Sequence, residues 1–123
     1  MKVLIVEDDE AIAQALASLL ESEGYRAVHV PDGRSALAEL RSGEKTSVIL
    51  LDMTMPGMNG WQFRKEQVKD EALASIPIVV CTADARAADD AREIGAVGWL
   101  RKPVDPARLL ATVGEHCRPE PSL

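Results

Sequence analysis

Short apolar runs of β type alternate along this chain with stretches of helical periodicity, and that alternation limits the fold more than any other feature. The runs are Val3-Leu4-Ile5-Val6, Ala27-Val28-His29-Val30, Val48-Ile49-Leu50-Leu51, Ile78-Val79-Val80-Cys81 and Val97-Gly98-Trp99-Leu100. Runs that are apolar throughout read as strands covered on both faces, the mark of a parallel sheet. The second and fifth runs are weaker, which suits sheet edges.

Helical spacing fills the gaps. Ile12, Leu16, Leu19 and Leu20 fall at i, i+4, i+7 and i+8, with Asp9 placed to cap the start and Gly24 the end. Ala36, Leu37 and Leu40 mark a second helix that Gly43 closes. Asn59-Gly60 opens a third, carrying Trp61, Phe63 and Val68 before Pro77. Ala88 to Ile94 form a fourth, ended by Gly95. Asp105-Pro106 is a cap followed by proline at the first helical position, starting a fifth with Leu109, Leu110 and Val113. Five strands alternating with five helices predict a doubly wound α/β fold, a five-stranded parallel sheet with helices on both faces.

The 123 residues suit one domain, and the 46% apolar fraction supplies a core without disulfides or a structural metal. Lys plus Arg number 14 against 20 Asp plus Glu, a net charge of −6. Nucleic-acid modules cluster cations, so this balance argues against direct nucleic-acid binding. No apolar run approaches the ~20 residues of a membrane span, and the opening Met1-Lys2-Val3-Leu4-Ile5-Val6 is too short for a signal peptide. The expectation is a cytoplasmic domain with no membrane contact. Cys81 reads as a small buried hydrophobe and Cys117 as an ordinary thiol near the last helix end.

In a doubly wound sheet, ligands bind outside the carboxyl ends of the strands. Glu7, Asp8 and Asp9 follow the first run, Asp52 the third, Thr82 the fourth, and Lys102-Pro103 the fifth. Asp9 reads as the cap of the first helix. The remaining carboxylates would share one rim with a hydroxyl and an ammonium. Clustered carboxylates repel one another and are stable only with protons or a cation. Their oxygens suit a hard divalent ion such as Mg²⁺, which also accepts phosphate oxygens. A carboxylate beside such a metal and a lysine is placed to attack a phosphoryl group.

Four motifs, Val6-Glu7-Asp8-Asp9, Leu51-Asp52 through Met58-Asn59-Gly60, Thr82-Ala83 and Arg101-Lys102-Pro103, resemble in order and spacing the receiver domain of two-component response regulators, of the chemotaxis-regulator kind. The resemblance covers nearly the whole chain. It implies a (βα)5 flavodoxin-like receiver domain over 1–117, followed by a loose tail at 118–123. It implies that Asp52 is phosphorylated by a sensor histidine kinase or a histidine phosphotransfer protein. Asp8 would ligate Mg²⁺ directly, Glu7 mainly through water, and Asp52 and the Thr54 carbonyl would complete the protein ligands. Thr82, Ala83 and Lys102 would bind the phosphate, with the Lys102–Pro103 bond cis to orient the lysine. Thr82 and Trp99 would act as the switch. The surface of the fourth helix, fifth strand and fifth helix would engage a downstream effector, an output domain of the same protein, or a second copy. The only catalysis implied is the domain's own phosphorylation and slow aspartyl-phosphate hydrolysis, so an enzyme in the usual sense is not expected.

Several positions depart from the family pattern. Trp99 stands where Tyr or Phe is commoner; indole is larger and donates only one hydrogen bond, and core packing is as good a reading as a switch. Val104 replaces a common aromatic. Arg64 and Gln67 occupy third-helix positions that are usually apolar, predicting a loosely packed helix or a partner surface. Thr54 and Asp84 hold positions that tune phosphate lifetime in the family. Trp61 and Phe63 are expected in the core, and His29 and His116 to be exposed or locally bonded. Arg86, Arg92, Arg101, Arg108 and Arg118 alternate with acids as a solvated face or as pairs across a dimer. Two other functions remain in view. An aspartate-nucleophile phosphatase needs a second acid two residues after its nucleophile, where this chain has Thr54. A receiver-like interaction module that signals without phosphate would not need the complete acid, threonine and lysine set.

Overall fold

A computed structural model of the chain describes residues 2–42 and 44–116. Strands β1 (Lys2–Val6), β2 (Arg26–Val30), β3 (Thr46–Asp52), β4 (Ile78–Thr82) and β5 (Gly98–Arg101) alternate with helices α1 (Glu10–Ser22), α2 (Gly33–Leu40), α3 (Gly60–Lys69), α4 (Ala87–Ile94) and α5 (Pro106–Gly114). The strands form one parallel sheet in the order β2-β1-β3-β4-β5, the flavodoxin-like doubly wound arrangement. The two weaker runs are the edges. Gly43 and residues 117–123 lie outside the described residues, and with them the expected cap of α2, the Cys117 thiol and the tail.

Strand alternation divides the core in two. Leu4, Val6, Ile49, Leu51, Ile78 and Val80 face the layer that contains Leu37, Phe63 and Ile94 of α2, α3 and α4. Val3, Ile5, Val48, Leu50, Val79 and Cys81 face Leu16 and Leu20 of α1 and Leu109 and Val113 of α5. Every residue of β1 and β4 is buried, because a central parallel strand has no wet face.

The caps follow the sequence. Asp9, Asp32 and Asp105 accept the backbone N–H of Ile12, Ser35 and Arg108, and Asn59 forms a reciprocal capping box with Gln62. Gly95 ends α4 in the left-handed region at φ 70°. No helix among the described residues is long and apolar enough to cross a membrane.

Two expectations about α3 are corrected. Phe63 is fully buried, but Trp61 is 40% exposed, its indole N–H donating to Glu93 Oε2 at 3.2 Å. Nor is the helix loosely held. Gln67 is fully buried and donates to the carbonyls of Leu73 (2.9 Å) and Ile76 (3.1 Å). Arg64 donates to Gln67 Oε1 at 2.9 Å and to the Ile94 carbonyl at 2.9 Å, so it ties α3 to the end of α4. The apolar anchors are replaced by a polar clasp whose donors and acceptors are paired.

Candidate functional site

All the strand-end residues converge on one rim. An open cleft of about 430 Å³ is lined by Glu7, Asp8, Asp9, Asp52, Thr54, Thr82, Ala83, Asp84 and Lys102, together with Ile12. Asp52 and Thr82 are the last residues of β3 and β4, so the strands aim them, and both are buried. Glu7 is also buried, whereas Asp8 is exposed. One oxygen from each of Glu7, Asp8 and Asp52 lies within 4.8 Å of the others.

Among the described residues a single cation reaches this group. Lys102 Nζ donates to Glu7 Oε2 at 2.6 Å and stands 3.6 Å from Asp52 Oδ2. Its backbone N–H bonds to the Thr82 carbonyl at 2.8 Å, and its bond to Pro103 is cis. The second Glu7 oxygen accepts the Asp9 N–H at 3.2 Å, and Asp52 Oδ1 accepts the Thr54 N–H at 3.1 Å. The Thr82 hydroxyl accepts the Asp84 N–H at 3.2 Å, while Asp84 Oδ1 accepts the Arg86 N–H at 2.8 Å and holds the turn.

Burial dominates the electrostatics of the nucleophile candidate. It pushes the Asp52 carboxyl up to about 6; the Thr54 N–H and the Lys102 charge oppose that shift, and Glu7 and Asp8 add to it. Burial also works against the charge on Lys102, but the Glu7 hydrogen bond and the Asp52 charge outweigh it and hold the ammonium above its ordinary range. Cys81, next to Thr82 on β4, is buried in the core and its thiol is pushed up to about 12 by that burial, so it is inert. Three carboxylates against one lysine leave a deficit of positive charge. Their oxygens suit a hard divalent cation, and Asp8 opens to solvent where such an ion can enter.

Trp99 is half-buried against the α4 side of the sheet, with the Arg108 guanidinium 5.3 Å from its ring centroid. Sequence patterning alone puts Arg108 on a solvated face; the fold brings its guanidinium over the Trp99 ring of the preceding strand. His29 was expected to be exposed or locally bonded. It is half-buried at the β2 edge, and its Nε2 lies 2.7 Å from the Glu7 carbonyl oxygen. The only signal in the sequence was a polar ring in an otherwise apolar run. His116 is half-buried at the end of α5, far along the chain from the rim residues.

Comparison with known proteins agrees with this geometry. The profile of the response regulator receiver domain matches residues 3–114. The sensory transduction protein RegX3 of Mycolicibacterium smegmatis is 41% identical over 114 residues, covering 90% of this chain and 48% of RegX3. This chain therefore spans about half of that relative. The protein PilH of Pseudomonas aeruginosa is 33% identical, covering 91% of this chain and 93% of PilH. Among solved structures, the chemotaxis protein CheY4 of Vibrio cholerae superposes with a TM-score of 0.85 at 33% identity, covering 94% of this chain and 98% of CheY4. The receiver domain of the sensor histidine kinase PA1611 of Pseudomonas aeruginosa, which has a magnesium ion in its active-site cleft, matches with a TM-score of 0.84 at 27% identity, covering 94% and 95%. With its fold, its carboxylate rim and these relatives in agreement, the chain belongs to the response regulator receiver domain family.

Proposed function

We propose that Asp52 accepts a phosphoryl group from the phosphohistidine of a sensor histidine kinase or a histidine phosphotransfer protein. The observation that carries this reading is the convergence of three carboxylates on one lysine beside a strand-end threonine, in a cleft open to solvent. One Asp52 oxygen is tied to the Thr54 N–H and the other faces Lys102, so the carboxylate is oriented before any donor arrives. An Asp52 oxygen attacks phosphorus, the bond from phosphorus to the donor's imidazole nitrogen breaks, and its electron pair stays on the ring. Lys102 stabilises charge on the transferred oxygens. The Thr82 hydroxyl turns to donate to a phosphate oxygen, and the Ala83 N–H lies beside it in the same wall. Glu7, Asp8 and Asp52, with the Thr54 carbonyl, would hold Mg²⁺, which would add positive charge against the phosphoryl oxygens when bound.

The receiver domain would take up 1–117 of the chain. Its product is a signal read from the α4-β5-α5 face, where Trp99 and Thr82 respond to the phosphate and where an effector, an output domain or a second copy docks. It works in the cytoplasm, and its own chemistry is limited to phosphorylation and slow hydrolysis at Asp52. Intact-mass measurement after incubation with acetyl phosphate and Mg²⁺ tests the reading. A single phosphoryl adduct is expected in the wild type and none in Asp52→Ala. No adduct in either, or an equal adduct in both, would sink it.

A further inference from the structure

Glu7 is held at four points. Its N–H donates to the Val30 carbonyl at 3.1 Å, its two carboxylate oxygens accept Asp9 N–H and Lys102 Nζ, and its carbonyl meets His29 Nε2 at 2.7 Å. The last bond differs in kind from the others. The Glu7 carbonyl belongs to the peptide unit shared with Asp8, so whatever fixes that oxygen fixes the plane from which Asp8 projects. A carbonyl can only accept, so His29 Nε2 must carry the hydrogen and donate it. Among the described residues the exposed Asp8 carboxylate meets one side-chain partner, Asp52, which is itself an acid of the site. No basic side chain is paired with Asp8 among the described residues, so its backbone carries much of its positioning.

The strand register makes this reach available. His29 pairs with Ile5 and Val30 with Val6 in the parallel ladder, so the ladder ends one step before the peptide in question. The Glu7 N–H takes the last backbone rung, to Val30. The imidazole of an edge strand supplies the next contact from the side, where no further backbone donor is used.

We infer that His29 is a positioning residue for the acidic pair: its Nε2–H orients the Glu7–Asp8 peptide and so presets Asp8 for a divalent cation. The inference rests on the proposed Mg²⁺ site. It assigns His29 no contact with metal or phosphate and no change of protonation, since both the Nε2–H neutral ring and the imidazolium can donate this bond.

The test titrates magnesium chloride into the full 123-residue chain by isothermal calorimetry, comparing wild type with His29→Leu and His29→Gln. Loss of one oriented hydrogen bond predicts about fivefold weaker Mg²⁺ binding in His29→Leu. His29→Gln keeps an N–H donor and should recover part of that loss, a rescue that a purely structural role would not produce. A nitrogen-15 spectrum of the metal-free wild type should show a slowly exchanging Nε2 hydrogen. Mg²⁺ binding in His29→Leu equal to wild type, or a wild-type Nε2 hydrogen in free exchange with water, would overturn the inference. The spectrum decides the matter even if both variants fail to fold. Absence of Mg²⁺ binding by the wild type would instead bring down the metal site itself, and this inference with it.

Discussion

The two ends of the sheet each bury a lysine against carboxylates, and they do so with opposite balance. At the amino ends of the strands, Lys2 is almost fully buried, donating to Glu39 Oε2 at 2.9 Å and to the Glu44 carbonyl at 3.3 Å. One cation meets one carboxylate. At the carboxyl ends, Lys102 meets Glu7 at 2.6 Å and Asp52 at 3.6 Å, and Asp8 lies within 4.8 Å of both acids. One cation meets three. The first arrangement closes a structure; the second leaves electrostatic demand that only a proton or an added cation can meet. Buried charge alone does not mark a functional site. Imbalance does.

The two ends should therefore respond differently to the same change. Replacing Lys102 with Met is expected to slow phosphorylation by acetyl phosphate by about a hundredfold, the usual cost of one charge stabiliser. Lys2→Met should leave that rate untouched when followed by intact mass. Equal slowing in both would erase the distinction.

Asp52→Asn comes next. Burial raises the Asp52 carboxyl from 3.8 to about 6, so folding favours its protonated form relative to the unfolded chain. Its favourable contribution is complete below the unfolded value and is lost as pH rises through about 6. In metal-free protein at pH 7.5, Asn should be more stable than Asp by up to about 3 kcal/mol. Urea unfolding at several pH values should show this advantage growing between pH 4 and 7 and then levelling. An advantage that shrinks with pH would contradict it.

Lys2→Met is the smaller and opposite case. The Lys2 hydrogen bond holds the Glu39 carboxyl below its usual range, so this pair's contribution is present above that range and lost as pH falls through it. The expected cost at neutral pH is about 1–2 kcal/mol by urea unfolding, with the deficit narrowing in acid. The smallest effect belongs to Thr46, which pairs with Lys2 in the β1–β3 register and whose buried hydroxyl has no hydrogen-bond partner among the described residues. Thr46→Val should raise stability by up to about 1 kcal/mol, read from the thermal midpoint. A loss on this substitution would mean that the hydroxyl is satisfied after all.

Much of this was legible in the residues. Apolar runs report strands buried on both faces because burial itself dictates composition, and the residue after each run inherits its place at the rim. Glu7, Asp52, Thr82 and Lys102 could thus be placed together although they are up to 95 positions apart. What stayed hidden involves partners that only the folded chain brings close. Arg64 and Gln67 read as missing apolar anchors, since their value lies in the carbonyls of Leu73, Ile76 and Ile94. Trp61 read as core because hydrophobicity does not reveal which side of α3 turns outward. His29 carried no motif, and its contact with the Glu7 carbonyl depends on parallel register at an edge.

The clasp around Arg64 also bears on how α4 can move. Apolar contacts tolerate sliding, but a hydrogen bond holds at one distance and then fails. Arg64 fastens α4 at the Ile94 carbonyl, next to the Gly95 turn, while the opposite end begins at Arg86 without a side-chain cap. That end follows Thr82 and Asp84, and Asp84 Oδ1 accepts its Arg86 N–H at 2.8 Å. The helix is thus tied at one end to the turn after Thr82 and at the other to α3, so the phosphate-site turn and the polar clasp share one rigid element.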